Sequence, residues 1–271
     1  MRLNKLCEIE DWQDPALYAT IQRVSPNFTR TLPDYPRGLE HRKHWEYGQV
    51  LNGLDQLGVI HSDAFVLSVA GGHEEPAYDL TSRVRWMFLT DLYGGTGFHT
   101  AESQYSVLTD PDRFANCSYN RRRLVVQYMD ALDLRFETNT FDAVFCLSSI
   151  EHFGGMSGAK SALREMHRVT KARGAVAITT ECIVNDKPDY EQSDLILFSR
   201  ESVLELARCS PGLELAEAVD FSISRSSMET CVPLVEALDD ARNNRIRHPH
   251  IVLEYMGRQF TSLALFFRKT A

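Results

Sequence analysis

Four short runs in this 271-residue chain place small or hydrogen-bonding residues where apolar stretches end. Ala70-Gly71-Gly72-His73-Glu74-Glu75 follows FVLSVA; small residues there let a backbone come close to a ligand, although a tight strand-to-helix turn uses the same glycines. Asp91 closes VRWMFLTD about 20 residues further on, the separation at which an acid reaches the two hydroxyls of a ribose; in a purely structural role it would cap a helix or turn. Asp130-Ala131 ends the next apolar run, where a carboxylate can accept from an adenine amino group. Ser148-Ser149-Ile150-Glu151-His152-Phe153 ends the fourth. Histidine ordinarily titrates near pH 6.5, by about the right margin for proton uptake at neutrality, so His152 is the first candidate general base. Its other role is to pack and hydrogen-bond beneath a bound nucleotide. Glu151 is a second catalytic candidate, or an acid placed at a helix start, and His73 is a further base candidate at the glycine turn.

These ends make one site only if the runs lie side by side, because open parallel sheets bind ligands at the carboxyl ends of their strands. The pattern predicts this. Tyr47, Val50, Leu51, Leu54 and Leu57 recur at helical spacing with Gly58 as the stop, and Phe65–Ala70 is a short apolar strand. Glu74, Glu75 and Pro76 then have the composition of a helix start. Strands follow at Val84–Thr90, Leu124–Tyr128, Phe141–Ser148 and Ala175–Thr180, and between the last two a helix carries Ala159, Ala162, Leu163, Met166 and Val169, closed by Gly174. Near-continuous apolar strands separated by helices read as an α/β fold whose sheet is covered on both faces. Beyond it, Ser199 caps a helix over Arg200–Arg208, a strand runs near Leu213–Ile223, and Pro233 opens a helix to about Asn243. Phe260–Phe267, preceded by Ile251–Tyr255, ends the chain. Residues 1–38, interrupted by Pro26, Pro33 and Pro36, read as an irregular arm on a single domain over 39–271. The polar segment 94–123 reads as an insertion, and 181–250 as substrate-side elements.

Lys plus Arg number 29 against 37 Asp plus Glu, and the resulting net charge of -8 repels phosphate backbones, so nucleic acid is not expected as a partner. No stretch approaches the 18 or so apolar residues of a membrane span. The N-terminus reaches Glu8 and Glu10 without an apolar run, unlike a secretory signal. Six scattered cysteines without a C-x-x-C pair argue against zinc or a disulfide framework, and no metal is expected. Together these point to a cytoplasmic protein.

Residues 64–180 resemble the class I S-adenosylmethionine-dependent methyltransferases, especially methyltransferase type 11. The match rests on VLSVAGGHEE, on MDALDLRFETNTFDAVFCLSSIEHF and on ALREMHRVTKARGAVAITT. The resemblance implies a Rossmann-like, mostly parallel sheet of seven strands with helices on both faces and a reversed final strand at the edge, here Phe260–Phe267. It implies S-adenosyl-L-methionine as cofactor and S-adenosyl-L-homocysteine as product. Ala70, Gly71, Gly72, Glu74, Glu75, Asp91, Asp130, Ala131 and Ser148 then hold the cofactor, and His152 and Glu151 serve the chemistry. Ser68 stands where the family has an acid, Ala70 where it has its first glycine and Glu74 where it has its third. Glu74 or Glu75 is expected to replace the missing acid; Ala70 is tolerated at a negative φ, whereas Glu74 at a positive one would be strained. The similarity extends to methyltransferases of bacterial glycan biosynthesis. With Glu102, Tyr105, Arg113, Tyr119, Asp186 and Tyr190 in the outer segments, it suggests a polar small-molecule or carbohydrate acceptor, a sugar hydroxyl being preferred. A catalytically silent methyltransferase-like binding protein and an NAD-dependent oxidoreductase are the rival readings. Oligomeric state does not follow from the sequence.

Overall fold

A computed structural model of the protein describes residues 1–27, 35–94, 103–192, 195–243 and 248–270. Its N-terminal segment is regular where an irregular arm was expected: strand β1 (Lys5–Leu6), a 3-10 turn over Ile9–Gln13 and helix α1 (Pro15–Val24). Proline is the reason rather than the obstacle. Pro15 occupies the first turn, where a missing N–H is not needed, and the Asp14 carboxylate accepts from the Ala16 amide at 2.8 Å.

Helix α2 (Arg42–Gln56) carries the expected apolar stripe, with Trp45, Val50, Leu51 and Leu54 buried. Its Gly53 lies so close to the core that an added Cβ would sit 2.2 Å from the Phe266 ring. A glycine inside a helix costs about 1 kcal/mol relative to alanine, and the ring explains why it is kept. Gly53→Ala is therefore expected to destabilise the protein by about 1–3 kcal/mol despite its better helix propensity, which thermal denaturation will register as a lower Tm.

Strands β2 (Phe65–Val69), β3 (Trp86–Asp91), β4 (Leu124–Tyr128), β5 (Phe141–Leu147) and β6 (Thr170–Ile183) pair in parallel in the order β6-β5-β2-β3-β4. From Gly174 to Ile183 every residue of β6 is buried, so both faces of the sheet are covered there; β4, at the edge, is only half-buried. The α-helices described between these strands are α3 (Glu75–Leu80), the short α4 (Ser106–Thr109) and α5 (Gly155–Val169). The stop of α5 is Thr170, not Gly174: its hydroxyl donates to the Met166 carbonyl at 2.7 Å and the chain runs straight into β6.

The C-terminal part departs further from expectation. After the hairpin β7 (Tyr190–Gln192) and β8 (Leu195–Leu197), helix α6 (Arg200–Ala207) is capped by Ser199 as predicted. Strand β9 (Leu213–Leu215) is much shorter than Leu213–Ile223. Past it the Asp220 carboxylate turns the chain by accepting from the Ser222 amide at 2.9 Å. Helix α7 (Arg225–Glu229) follows, then β10 (Val232–Pro233), α8 (Leu234–Arg242), β11 (Leu253–Tyr255) and β12 (Arg258–Lys269). Strand β12 runs antiparallel to β6, the reversed strand of the expected fold. It is not an edge. Strands β11, β1 and β9 line its far side in turn, opposite Phe260, Leu263–Ala264 and Phe267. Among the described residues the main sheet thus holds ten strands rather than seven. Among the described residues no helix is long and apolar enough to cross a membrane, and no His, Cys, Asp and Glu group could hold a metal ion.

Candidate active site

At the carboxyl ends of β5, β2, β3 and β4 lies a cavity of about 600 Å³. The order of those strands brings together runs that are up to 80 residues apart in the chain, by about the distance from Ala70 to Ser149 in sequence. Ala70, Gly71, Gly72, Glu74, Glu75, Asp91, Asp130, Ala131, Ser148 and His152 all line it, as does His73. Phe153 of the same run and Tyr47 of the helical stripe line it too, as do Lys43 and Ser103, which their local sequence did not single out.

The glycine turn is held from three sides. The Gly71 amide donates to the Thr90 carbonyl at 3.0 Å, the Gly72 amide to Asp91 Oδ2 at 2.8 Å, and the Ser149 hydroxyl to the Ala70 carbonyl at 2.9 Å. Gly71 has no room for a side chain: an added Cβ would lie 2.1 Å from Ser68 Oγ. The strain falls elsewhere than expected. Ala70 has φ 51° and Ser148 φ 47°, both left-handed, whereas Glu74 has an unstrained φ of -62°. Left-handed non-glycine residues cost of order 1–3 kcal/mol each and persist where surrounding bonds over-determine them, as here.

Asp91 receives a second hydrogen bond, from the Ser103 hydroxyl at 2.8 Å, and burial raises its carboxyl above the usual value against the pull of Ser103 and the Gly72 amide. Asp130 is exposed and accepts from the Leu132 amide at 2.8 Å. A carboxylate has about four acceptor sites, so both acids retain capacity for a ligand. Met129, Ala131 and Leu92 add apolar surface beside them. At the other end of the cavity, the Glu74 carboxylate pairs with Lys43 at 2.6 Å through Oε1 while its buried Oε2 has no hydrogen-bond partner. Glu75 accepts from the Asn116 amide group at 3.0 Å.

Glu151 does not face the cavity. It is buried with 1% exposure, and its carboxylate accepts from the Thr180 hydroxyl at 3.0 Å. Burial, helped by nearby Glu181, pushes its pKa up to about 8. The expectation that Glu151 acts on substrate is therefore corrected: it is an interior group under the 3-10 turn Ile150–His152. The outer polar residues do not gather here either. Tyr119 bonds Asp112, Tyr190 lies against Arg258 and Tyr255, and Asp186 lines a separate cavity with Lys187 and Arg200; Glu102 lies outside the described residues.

A family model described as a methyltransferase domain matches residues 96–178, which carry β4, β5, α5 and most of β6. That match covers 83 of the 271 residues and makes this stretch similar to methyltransferase domains. Solved structures of similar fold include the 4+2 cyclase SpnF, at 16% identity over 94% of this chain and 96% of that one with a TM-score of 0.55. A protein of Galdieria sulphuraria, provisionally named a sarcosine dimethylglycine methyltransferase, shares 16% identity over 91% and 98% with a TM-score of 0.54. The Burkholderia thailandensis 1,6-didemethyltoxoflavin-N1-methyltransferase, solved with bound 1,6-didemethyltoxoflavin and S-adenosylhomocysteine, shares 15% over 95% and 91% with a TM-score of 0.50. Such identities speak to the fold. The cavity suits an adenosyl amino acid: acids at the ends of β3 and β4, a close-approach turn after β2, and an unpartnered buried carboxylate oxygen beyond it.

Proposed function

We propose that this protein is an S-adenosylmethionine-dependent methyltransferase that methylates a hydroxyl of a polar small molecule or glycan, a sugar hydroxyl above all, in the cytoplasm, with His152 as general base. The observation that carries the reading is the convergence of four strand ends on one cavity that His152 also lines. S-adenosylmethionine, when bound, supplies an activated methyl group on a sulfonium that departs as a neutral thioether. The chain's part is to bind, align and deprotonate. Asp91 takes the ribose hydroxyls, Asp130 the adenine amino group, and the Ala70-Gly71-Gly72 backbone gives close approach. Glu74 takes the ammonium group, replacing the acid that Ser68 lacks. A hydroxyl acceptor must lose its proton, and His152 is the basic side chain that follows β5 into the cavity.

A thermal shift with S-adenosylhomocysteine, followed by a screen of nucleotide sugars and glycan fragments for methyl incorporation, tests this. A ligand at 100 times its Kd should stabilise the native state by about 2.7 kcal/mol. Incorporation only into amines or carbon acids would overturn the hydroxyl assignment.

A pH dependence follows from Glu74. Burial pushes its carboxyl up to about 8 against the opposing Lys43, with Glu46 and Glu75 adding to the rise. A bound ammonium favours the ionised form, so binding drives a proton off Glu74. Affinity for S-adenosylhomocysteine should accordingly increase as the pH rises toward 8 and then level off. The slope is at most about tenfold per pH unit for one proton, and Glu74→Gln should flatten it. Calorimetry in buffers of different ionisation enthalpy counts the proton directly.

A further inference from the structure

The strand ends set an order along the cavity: Asp130 after β4, Asp91 at the end of β3, the glycine turn after β2 and Leu147 at the end of β5. With adenine at Asp130 and ribose at Asp91, the amino-acid end of an adenosyl ligand lies toward β2 and β5. The charged groups lining the cavity there are Lys43, Glu74 and Glu75, and of these Glu75 already accepts from the Asn116 side chain at 3.0 Å. Ser68, the family's acid position, is fully buried, uncharged and without a hydrogen-bond partner at Oγ, so it offers no counter-charge.

We propose that Lys43 anchors the carboxylate of the cofactor's amino-acid end, so that Lys43 and Glu74 together form a complement to a zwitterion. This rests on the cofactor placement above. Lys43 stands in the first turn of α2, and Nζ donates to the Leu147 carbonyl at 3.0 Å and to Glu46 Oε2 at 3.3 Å as well as pairing with Glu74. Glu46 is 1% exposed, so the first two bonds form a fixed mount. The Glu74 bond lies on the cavity side, where about a third of the Lys43 side chain is exposed. A zwitterion inserts by exchange. Its ammonium goes to Glu74, whose Oε2 is already without a partner, and its carboxylate takes the cavity-side proton of Lys43 that Glu74 releases. No buried charge is left unpaired in either state, which removing one member of such a pair would bring about. The Tyr47 ring, with Lys43 Nζ 5.5 Å from its centroid, holds the lysine stem on this side.

The test compares S-adenosylhomocysteine with 5′-methylthioadenosine, which has the adenosine and sulfur but no amino-acid end, by calorimetry on the wild type, Lys43→Met and Glu74→Gln. The wild type should prefer S-adenosylhomocysteine. Both variants should lose at least about tenfold in affinity for it, the worth of one charge-assisted bond, while 5′-methylthioadenosine stays within about twofold. Lys43→Arg should recover part of the preference. Lys43→Gln is the second variant if Lys43→Met lowers the folded fraction seen by circular dichroism. An equal loss for both ligands, or no loss for either, overturns the assignment of Lys43. A wild type that binds neither ligand overturns the cofactor placement along with it, whereas one that binds both with equal strength overturns the clamp alone.

Discussion

Replacing His152 by alanine should slow methyl transfer about 100-fold or more at saturating cofactor and acceptor, while affinity for S-adenosylhomocysteine stays within about twofold; general bases contribute about this much. The geometry behind the expectation is a short, well-held turn. The His152 amide donates to the Ser149 carbonyl at 2.9 Å, and the Ser149 hydroxyl ties the same segment to Ala70 across the sheet. The backbone beneath the imidazole is thus tied to the glycine turn by bonds that truncating the side chain leaves in place. Steady-state kinetics with the acceptor identified by screening, beside calorimetry on the same variant, separates the two effects. A variant that binds cofactor as weakly as an Asp91 variant but turns over normally at saturation would make His152 a cofactor-pocket residue.

Asp91→Ala should do the opposite, lowering cofactor affinity at least tenfold. Two hydrogen bonds from ribose hydroxyls to a carboxylate are worth roughly 1.5–3 kcal/mol each before water replaces part of them. The substitution also strips the Gly72 amide and the Ser103 hydroxyl of their acceptor. Some stability is lost for that reason, and Asp91→Asn is the useful companion, since it retains an acceptor oxygen for Gly72 while removing the charge and the second acceptor oxygen. Calorimetry with S-adenosylhomocysteine should rank wild type above Asp91→Asn above Asp91→Ala. Equal affinities across the three would place the ribose elsewhere.

The strands that build this site were legible because each is a continuous apolar run whose end is marked by a polar or small residue; Leu124–Tyr128 was read with its exact bounds. Their side-by-side order then placed Asp91, Asp130 and Ser148 at one cavity without any further information. Glu151 shows what sequence adjacency conceals. In a 3-10 turn successive side chains point about 120° apart, so the turn that brings His152 to the cavity sends Glu151 into the interior beside Thr180. Lys43 was hidden for a different reason. It precedes Tyr47 by one helical turn and so shares the face of the apolar stripe, but a single lysine in the first turn of a helix carries no motif; only the packing of α2 against β5 brings it to the Leu147 carbonyl. The left-handed backbone at Ala70 was likewise invisible, because it is imposed by hydrogen bonds from Ser149 and to Thr90, residues of other strand ends. Strands β1, β9 and β11 are too short to carry a periodicity of their own and exist because β12 offers them an edge.

The most direct test of the account is calorimetric titration of the wild-type protein with S-adenosylmethionine, S-adenosylhomocysteine and NAD. One equivalent of each adenosyl ligand should bind, and NAD should give no heat, because the acids at Asp91 and Asp130 and the zwitterion-sized charges at the β2–β5 end suit an adenosyl amino acid rather than a dinucleotide. Flat titrations with both adenosyl ligands on folded protein, or saturable binding of NAD, would contradict it.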